Sequence, residues 1–135
     1  MKVEGGCYCK AVRYVAEGEP MFKGQCHCRE CQYLTGGHPN VIMGMPKANF
    51  RYTKGAPKAF RRSDIDNPVT REFCSECGTH LTTRTEGLPD AVLIKVGTLD
   101  DPSVFGTPQM AIFTIDKQAF HHVPSGVPAF ERLPG

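Results

Sequence analysis

The seven cysteines of this 135-residue chain constrain its fold more than any other feature. They fall into three short clusters, which are Cys7 and Cys9, then Cys26, Cys28 and Cys31, and then Cys74 and Cys77. An odd number of cysteines cannot pair completely in disulfides, and gaps of one or two residues are typical of metal ligands. We therefore predict that these cysteines bind metal, with zinc as the ion that such thiolate sets prefer.

Metal binding changes what the net charge of the chain implies. The formal charge of +2 counts every cysteine as a neutral thiol. Zinc ligands are thiolates, so seven of them add seven negative charges and two zinc ions add four positive ones, which gives −1. With this charge, the composition gives no support for a nucleic-acid partner, and we expect none.

Short apolar runs indicate a protein without a membrane partner. The longest of them, such as residues 91–94, are far shorter than the ~18 residues of a membrane-spanning helix. The first six residues, MKVEGG, contain no apolar signal region. We expect a cytoplasmic protein, where reduced thiols persist.

The pattern of short β-branched runs between turn residues predicts an all-β fold in a single domain over residues 1–135. Glycine (14) and proline (11) are spread along the whole chain and separate these runs. One short helical turn is expected at residues 29–34, which lack both. The predicted strands are residues 11–15, 41–43, 50–53, 80–83, 91–96 and 110–115.

Coordination number suggests how seven cysteines divide between two ions. A structural zinc site has four protein ligands, whereas a catalytic site keeps one position open. The segment from Cys74 to Gly78 is a zinc-knuckle sequence, in which Gly78 allows a tight turn after the second thiolate. Its two further ligands could be Cys7 and Cys9, or part of the middle cluster.

The middle cluster is the sharpest motif, because three thiolates within six residues can hold one ion from a single loop. Three ligands are one short of a closed site. Spacing alone leaves two alternatives, an open position or closure by a histidine, for which His27, His38 and His80 are available.

Together these motifs resemble the glutathione-dependent formaldehyde-activating (Gfa) family. The resemblance extends over essentially the whole chain, and every cysteine falls on a motif position. The segments that carry it are GCxC with AVRY (residues 6–14), CHCxxC with TG (26–36), FCxxCGT (73–79), PQMAIF (108–113) and GVPAFE (126–131).

The resemblance implies an Mss4-like fold of small antiparallel sheets built around a structural zinc site. It implies two zinc ions per chain and a carbon–sulfur lyase activity that joins glutathione to formaldehyde as S-(hydroxymethyl)glutathione. It implies Cys7, Cys9, Cys74 and Cys77 as structural zinc ligands, and Cys26, Cys28 and Cys31 as catalytic ligands of a second, exchangeable zinc.

Departures from the family pattern bear on the thiol substrate. Gln32 and Tyr33 stand where relatives often have basic residues, which removes candidate partners for the carboxylates of glutathione. Lys10 stands where a glycine usually follows the CxC motif, so that turn must accept a side chain. The formaldehyde chemistry stays the main hypothesis, with a small thiol and an aldehyde as partners.

A different class of function is a non-catalytic, zinc-stabilised binding module that acts through its surface. The stretch with Lys58, Phe60, Arg61 and Arg62 is basic and aromatic, but an alternating strand with a solvated face explains it better. His27 lies between two proposed ligands, so we expect its side chain to point away from the ion.

Overall fold

The computed structural model describes residues 1–134 and is built mostly of strands, which confirms the all-β prediction. One α-helix, α1 (Arg29–Thr35), follows the middle cysteine cluster as predicted, and short 3₁₀ turns connect several strands. The strands described are β1 (Lys2–Gly6), β2 (Arg13–Glu17), β3 (Phe22–Cys26), β4 (Asn40–Pro46), β5 (Phe50–Lys54), β6 (Lys58–Phe60), β7 (Thr70–Phe73), β8 (His80–Arg84), β9 (Ala91–Lys95) and β10 (Met110–Ile112).

The strands form two sheets. Strands β1-β2-β5 make a small antiparallel sheet, and the remaining strands make a larger one in the order β10-β3-β4-β9-β8-β7-β6. All pairs in the larger sheet are antiparallel except β10 with β3. No helix within residues 1–134 is long and apolar enough to cross a membrane.

The main core lies between the two sheets. Tyr14 and Ala16 of β2 pack with Met43 of β4 and Ile94 of β9, all of them buried. Met43 and Ile94 are direct cross-strand partners, so their side chains point to the same face of the larger sheet. Burial of this face against the small sheet supplies the main hydrophobic stabilisation.

The opposite face of the larger sheet, which we call the polar sheet face, carries polar residues among apolar ones and part of the middle cysteine cluster. Cross-strand register places Cys26 beside Asn40, and Ile42 beside Lys95. Thr83 lies opposite Arg71 farther along the same face. Polar residues on a buried sheet face need partners, so this face is a candidate site.

The last predicted strand was too long. We expected residues 110–115 to be extended, but β10 ends at Ile112. Phe113 adopts a left-handed conformation with φ of 54°, and Thr114–Asp116 then forms a 3₁₀ turn. A positive φ at a non-glycine residue breaks strand geometry, which periodicity alone could not reveal.

Glu72 connects the two sheets through hydrogen bonds. Its Oε1 accepts from Tyr52 of β5 at 2.9 Å, and from Thr82 and Arg84 of β8 at 2.6 and 3.0 Å. Burial alone would raise the pKa of Glu72, but bonds from Thr82, Arg84 and Tyr52 hold it below its ordinary value.

We expect Glu72→Ala to lower the free energy of unfolding by about 2 kcal/mol at pH 7, because the donors lose a charged acceptor. A lowered folded-state pKa means that this contribution is present above the ordinary pKa of 4.5 and is lost as pH falls through the folded value. The difference from wild type, measured by urea unfolding, should therefore stay constant from pH 7 to about pH 5 and shrink as pH falls below 4.5. A difference that grows in acid would contradict this account.

Candidate metal centres and the polar sheet face

Two turns that are far apart in the chain bring four cysteines together. Cys7 and Cys9 lie in the turn after β1, and Cys74 and Cys77 lie in the turn between β7 and β8. The sulfur atoms of this four-cysteine cluster all lie within 4.8 Å of one another. The backbone N–H of Tyr8 donates to Thr79 Oγ1 at 3.2 Å and joins the two turns directly.

The sulfur spacing fits a tetrahedral zinc ion. A Zn–S bond of about 2.3 Å places tetrahedral sulfurs about 3.8 Å apart. The Sγ atoms of Cys7 and Cys9 are 3.7 Å apart, and those of Cys9 and Cys74 are 3.8 Å apart. These cysteines are free thiols rather than disulfides, so the four sulfurs could together hold one metal ion.

The surrounding turns stabilise thiolates. The backbone N–H of Val12 donates to Cys7 Sγ at 3.2 Å, and Thr79 Oγ1 lies 3.1 Å from Cys77 Sγ. The side chain and backbone of Thr79 lower the pKa of Cys77 to about 5. Lys10, with φ of 69°, occupies the left-handed conformation that glycine adopts most easily.

The three-cysteine cluster forms where β3 leads into α1. Cys26 ends β3, Cys28 is the N-cap of the helix, and Cys31 lies in its first turn. Their sulfurs also lie within 4.8 Å of one another. Backbone N–H of Cys31 donates to Cys28 Sγ, and Asn40 Nδ2 donates to Cys31 Sγ, both at 3.4 Å.

Within residues 1–134, no fourth histidine, cysteine, aspartate or glutamate places a ligand atom within 4.8 Å of all three sulfurs. His27 is fully buried, but its nitrogens face His121 Nδ1 at 2.9 Å and Gln25 Nε2 at 3.0 Å. His38 Nδ1 faces the carbonyl oxygen of Pro39 at 2.9 Å. The side chain of His27 thus points away from the cluster, as its position between two cysteines predicts.

The histidine pair fixes the loop that carries the three cysteines. His121 Nε2 also contacts the carbonyl oxygen of Gly37 at 2.7 Å. Gln32 Nε2 donates to the carbonyl oxygens of His27 and Asp116, at 2.8 and 3.0 Å. These bonds hold both ends of α1 against the C-terminal segment, so the three sulfurs have a fixed arrangement.

A buried lysine lies on the polar sheet face near the three-cysteine cluster. Lys95 is only 8% exposed, and its Nζ donates to Thr83 Oγ1 at 2.6 Å. No carboxylate of residues 1–134 lies within ion-pair distance of it. Burial lowers the pKa of Lys95 to about 8, while the nearby Cys31 opposes that change. A buried ammonium without a carboxylate is costly unless another anion offsets it.

Sequence reasoning found the cysteines but missed their polar neighbours. Asn40 and Lys95 carry no motif, and Lys95 ends an apolar run that reads as an ordinary core strand. Only the cross-strand register reveals that they share a face with Cys26. Residues 120–123 form no strand, and His121 is buried whereas His122 is exposed.

Comparison with known proteins adds a family and a fold. The model of the family described as glutathione-dependent formaldehyde-activating enzyme matches residues 2–116. The crystal structure of a Rhodobacter sphaeroides protein from a structural genomics programme superposes with a TM-score of 0.60 and 18% identity, covering 78% of this chain and 96% of that one. At this identity the likeness shows the fold alone. No curated protein matches the chain.

We expect Cys74→Ser to unfold the protein, because Cys74 is 1% exposed and structural zinc contributes folding free energy directly. Cys28→Ser is the matched control, since Cys28 is partly exposed and belongs to the other cluster. It should remain folded and lose about one zinc ion per chain. Circular dichroism reports whether each variant is folded, and zinc analysis gives the number of ions per chain. Equal unfolding of both variants would show that the two clusters have the same role.

Proposed function

The chain belongs to the glutathione-dependent formaldehyde-activating family, and we propose that it is a zinc-dependent carbon–sulfur lyase which forms or carries the adduct of a thiol with formaldehyde. The four-cysteine cluster would hold a structural zinc ion and the three-cysteine cluster a second one. The observation that carries this proposal is the difference between the clusters: four sulfurs lie together in one, and three in the other, where no fourth histidine, cysteine, aspartate or glutamate of residues 1–134 joins them.

The reaction itself has a simple balance of atoms. The thiol sulfur forms a bond to the carbon of formaldehyde, and the π electrons of the carbonyl move to its oxygen. The proton of the thiol ends on that oxygen, which gives a hydroxymethyl thioether. When bound, zinc would stabilise the thiolate of the substrate at neutral pH and orient it toward the aldehyde.

Residues of the chain donate hydrogen bonds to the sulfurs of the cluster that this thiolate would join. Asn40 and the backbone N–H of Cys31 each donate to a sulfur of the three-cysteine cluster, which lowers electron density there. Cys31 has a lowered pKa, because it accepts hydrogen bonds from Cys26 and Cys28 and lies near Asn40 and Lys95. These bonds favour an anionic sulfur at Cys31, whereas the pKa values of Cys26 and Cys28, which donate to it, are raised.

Lys95 offsets the charge of an additional thiolate. Three thiolates and a zinc dication carry a net charge of −1, and a bound substrate thiolate makes it −2. This charge weakens the ion as a Lewis acid, so orienting a thiolate is a more credible role than activating the carbonyl. The buried ammonium of Lys95 lies close enough for its pKa to respond to all three cysteines. It would serve as a positioning residue for the incoming anion.

We expect the zinc-loaded protein to contain two zinc ions per chain and to bind one equivalent of glutathione in a calorimetric titration. Cys28→Ser, with the second site impaired, should give no heat of binding. If glutathione leaves the zinc content of the wild-type protein unchanged and gives no heat of binding, the protein would act instead as a zinc-stabilised binding module.

A second prediction concerns Lys95→Met, which replaces the ammonium by an apolar group of similar length. We expect thiol affinity to fall about tenfold, equivalent to about 1.4 kcal/mol, because one compensating charge is lost. The free energy of unfolding should stay the same or rise, since a buried unpaired cation is removed. Lys23→Met serves as control, because Lys23 lies over the Phe105 ring and not at the cluster. Unchanged thiol affinity in Lys95→Met would exclude this role.

A further inference from the structure

A groove runs between α1 and the β6–β8 end of the larger sheet, with a volume of about 300 Å³. One wall comes from the helix and the other from the sheet. We call it the aromatic groove, and its lining residues are Glu30, Tyr33, Leu34, Phe60, Arg62, Arg71, Phe73 and His80.

The groove continues from the helix that carries Cys31. Leu34 follows Cys31 by three residues, about 4.5 Å along the helix axis, and Glu30 directly precedes Cys31. Lys95 Nζ donates to Thr83 Oγ1 at 2.6 Å, and Thr83 is the cross-strand partner of Arg71, which lines the groove. The groove and the three-cysteine cluster thus share α1 and the sheet face that carries Lys95.

The walls of the groove are largely aromatic and aliphatic. Phe60 is 54% exposed and Tyr33 is 78% exposed, although both have large apolar rings. They lie across from Leu34 and Phe73, so the exposed carbon surface is concave rather than scattered. A concave apolar surface beside polar groups is typical of small-molecule sites.

The cations of the groove already have carboxylate partners. Arg71 pairs with Glu30 at 3.1 Å, and Arg62 pairs with Asp64 at 2.8 Å and with Glu30 at 3.7 Å. Arg29, over the ring of Tyr33 at 5.0 Å, donates to the side chain of Gln32. A ligand with two carboxylates would find at most one cation here that is not already in an ion pair.

One buried polar atom of the groove has no partner. His80 Nδ1 is the only buried side-chain nitrogen or oxygen of residues 1–134 without a hydrogen bond. The ring packs beside Phe73, with centroids 5.6 Å apart, so its surroundings are otherwise apolar. An unsatisfied buried group costs about 1–3 kcal/mol, which a ligand hydroxyl could recover in either tautomer of the ring.

We propose that the aromatic groove binds the body of the thiol substrate, and that this body is an uncharged or singly charged ring or branched alkyl group rather than a peptide with two carboxylates. The inference rests on the proposed function, because the sulfur of the same molecule would occupy the open position at the three-cysteine cluster. The groove would thus decide which thiol this protein uses.

Calorimetric titration of the zinc-loaded protein with three thiols tests the proposal. Phenylmethanethiol carries a ring, 2-mercaptoethanol has almost no body, and glutathione carries two carboxylates. We expect phenylmethanethiol to bind at least tenfold more tightly than the other two, because its ring leaves water for the groove. Phenylmethanol carries the same ring but no thiol, so its affinity reports binding to the groove without a sulfur contact at the three-cysteine cluster.

Phe60→Ala is the diagnostic variant, since Phe60 lies on an exposed edge strand and its loss should not affect folding. We expect it to weaken phenylmethanethiol binding about tenfold and to leave 2-mercaptoethanol binding unchanged. Phe120→Ala is the matched control, because Phe120 is 72% exposed and does not line the groove. Melting temperatures confirm that both variants are folded.

The outcomes separate this inference from the proposed function. Thiols that bind with equal affinity, or a Phe60→Ala variant that behaves like Phe120→Ala, would overturn the groove proposal and leave the function intact. If phenylmethanol binds but no thiol binds more tightly, the groove is a site for aromatic rings, and the proposal that a substrate sulfur binds at the three-cysteine cluster is overturned. Binding of none of the probes would overturn both.

Discussion

The contact on which the structure depends is the approach of four sulfur atoms from two distant turns. Cys9 and Cys74 are 65 residues apart in sequence, and their sulfurs are 3.8 Å apart. One turn connects β1 and β2 of the small sheet, and the other connects β7 and β8 of the larger sheet. An ion held by these cysteines would therefore tie the two sheets at one end, while Glu72 ties them by hydrogen bonds elsewhere.

The larger sheet separates structural and chemical roles between its two faces. One face packs against the small sheet through residues such as Met43 and Ile94. The other carries Cys26 and Lys95, with α1 supplying Cys31. A rigid core behind the polar face keeps three sulfurs and a buried cation in fixed positions. This division explains how a chain of 135 residues can both fold and present a site.

Much of the fold and the three-cysteine cluster were predictable from local patterns, whereas spacing left open which cysteines join Cys74 and Cys77. Strands such as β9 have continuous β-branched and apolar residues, and CxxC spacing reveals shared ligands without any structure. Strand β3 was missed, because its sequence Phe22–Cys26 contains glycine, lysine and glutamine and follows no alternation. Lys95 and the aromatic groove depend on register and helix placement, which one sequence does not encode locally.

The central claim is that one site has four sulfur ligands from the protein and the other has three with room for a substrate. X-ray absorption at the zinc edge of the two-zinc protein tests it most directly. Seven cysteines shared by two ions predict an average of 3.5 sulfurs and half a lighter ligand per zinc. Addition of a bound thiol should raise the average to four sulfurs. An average that stays the same after thiol binding, or a histidine nitrogen in the starting spectrum, would contradict the account.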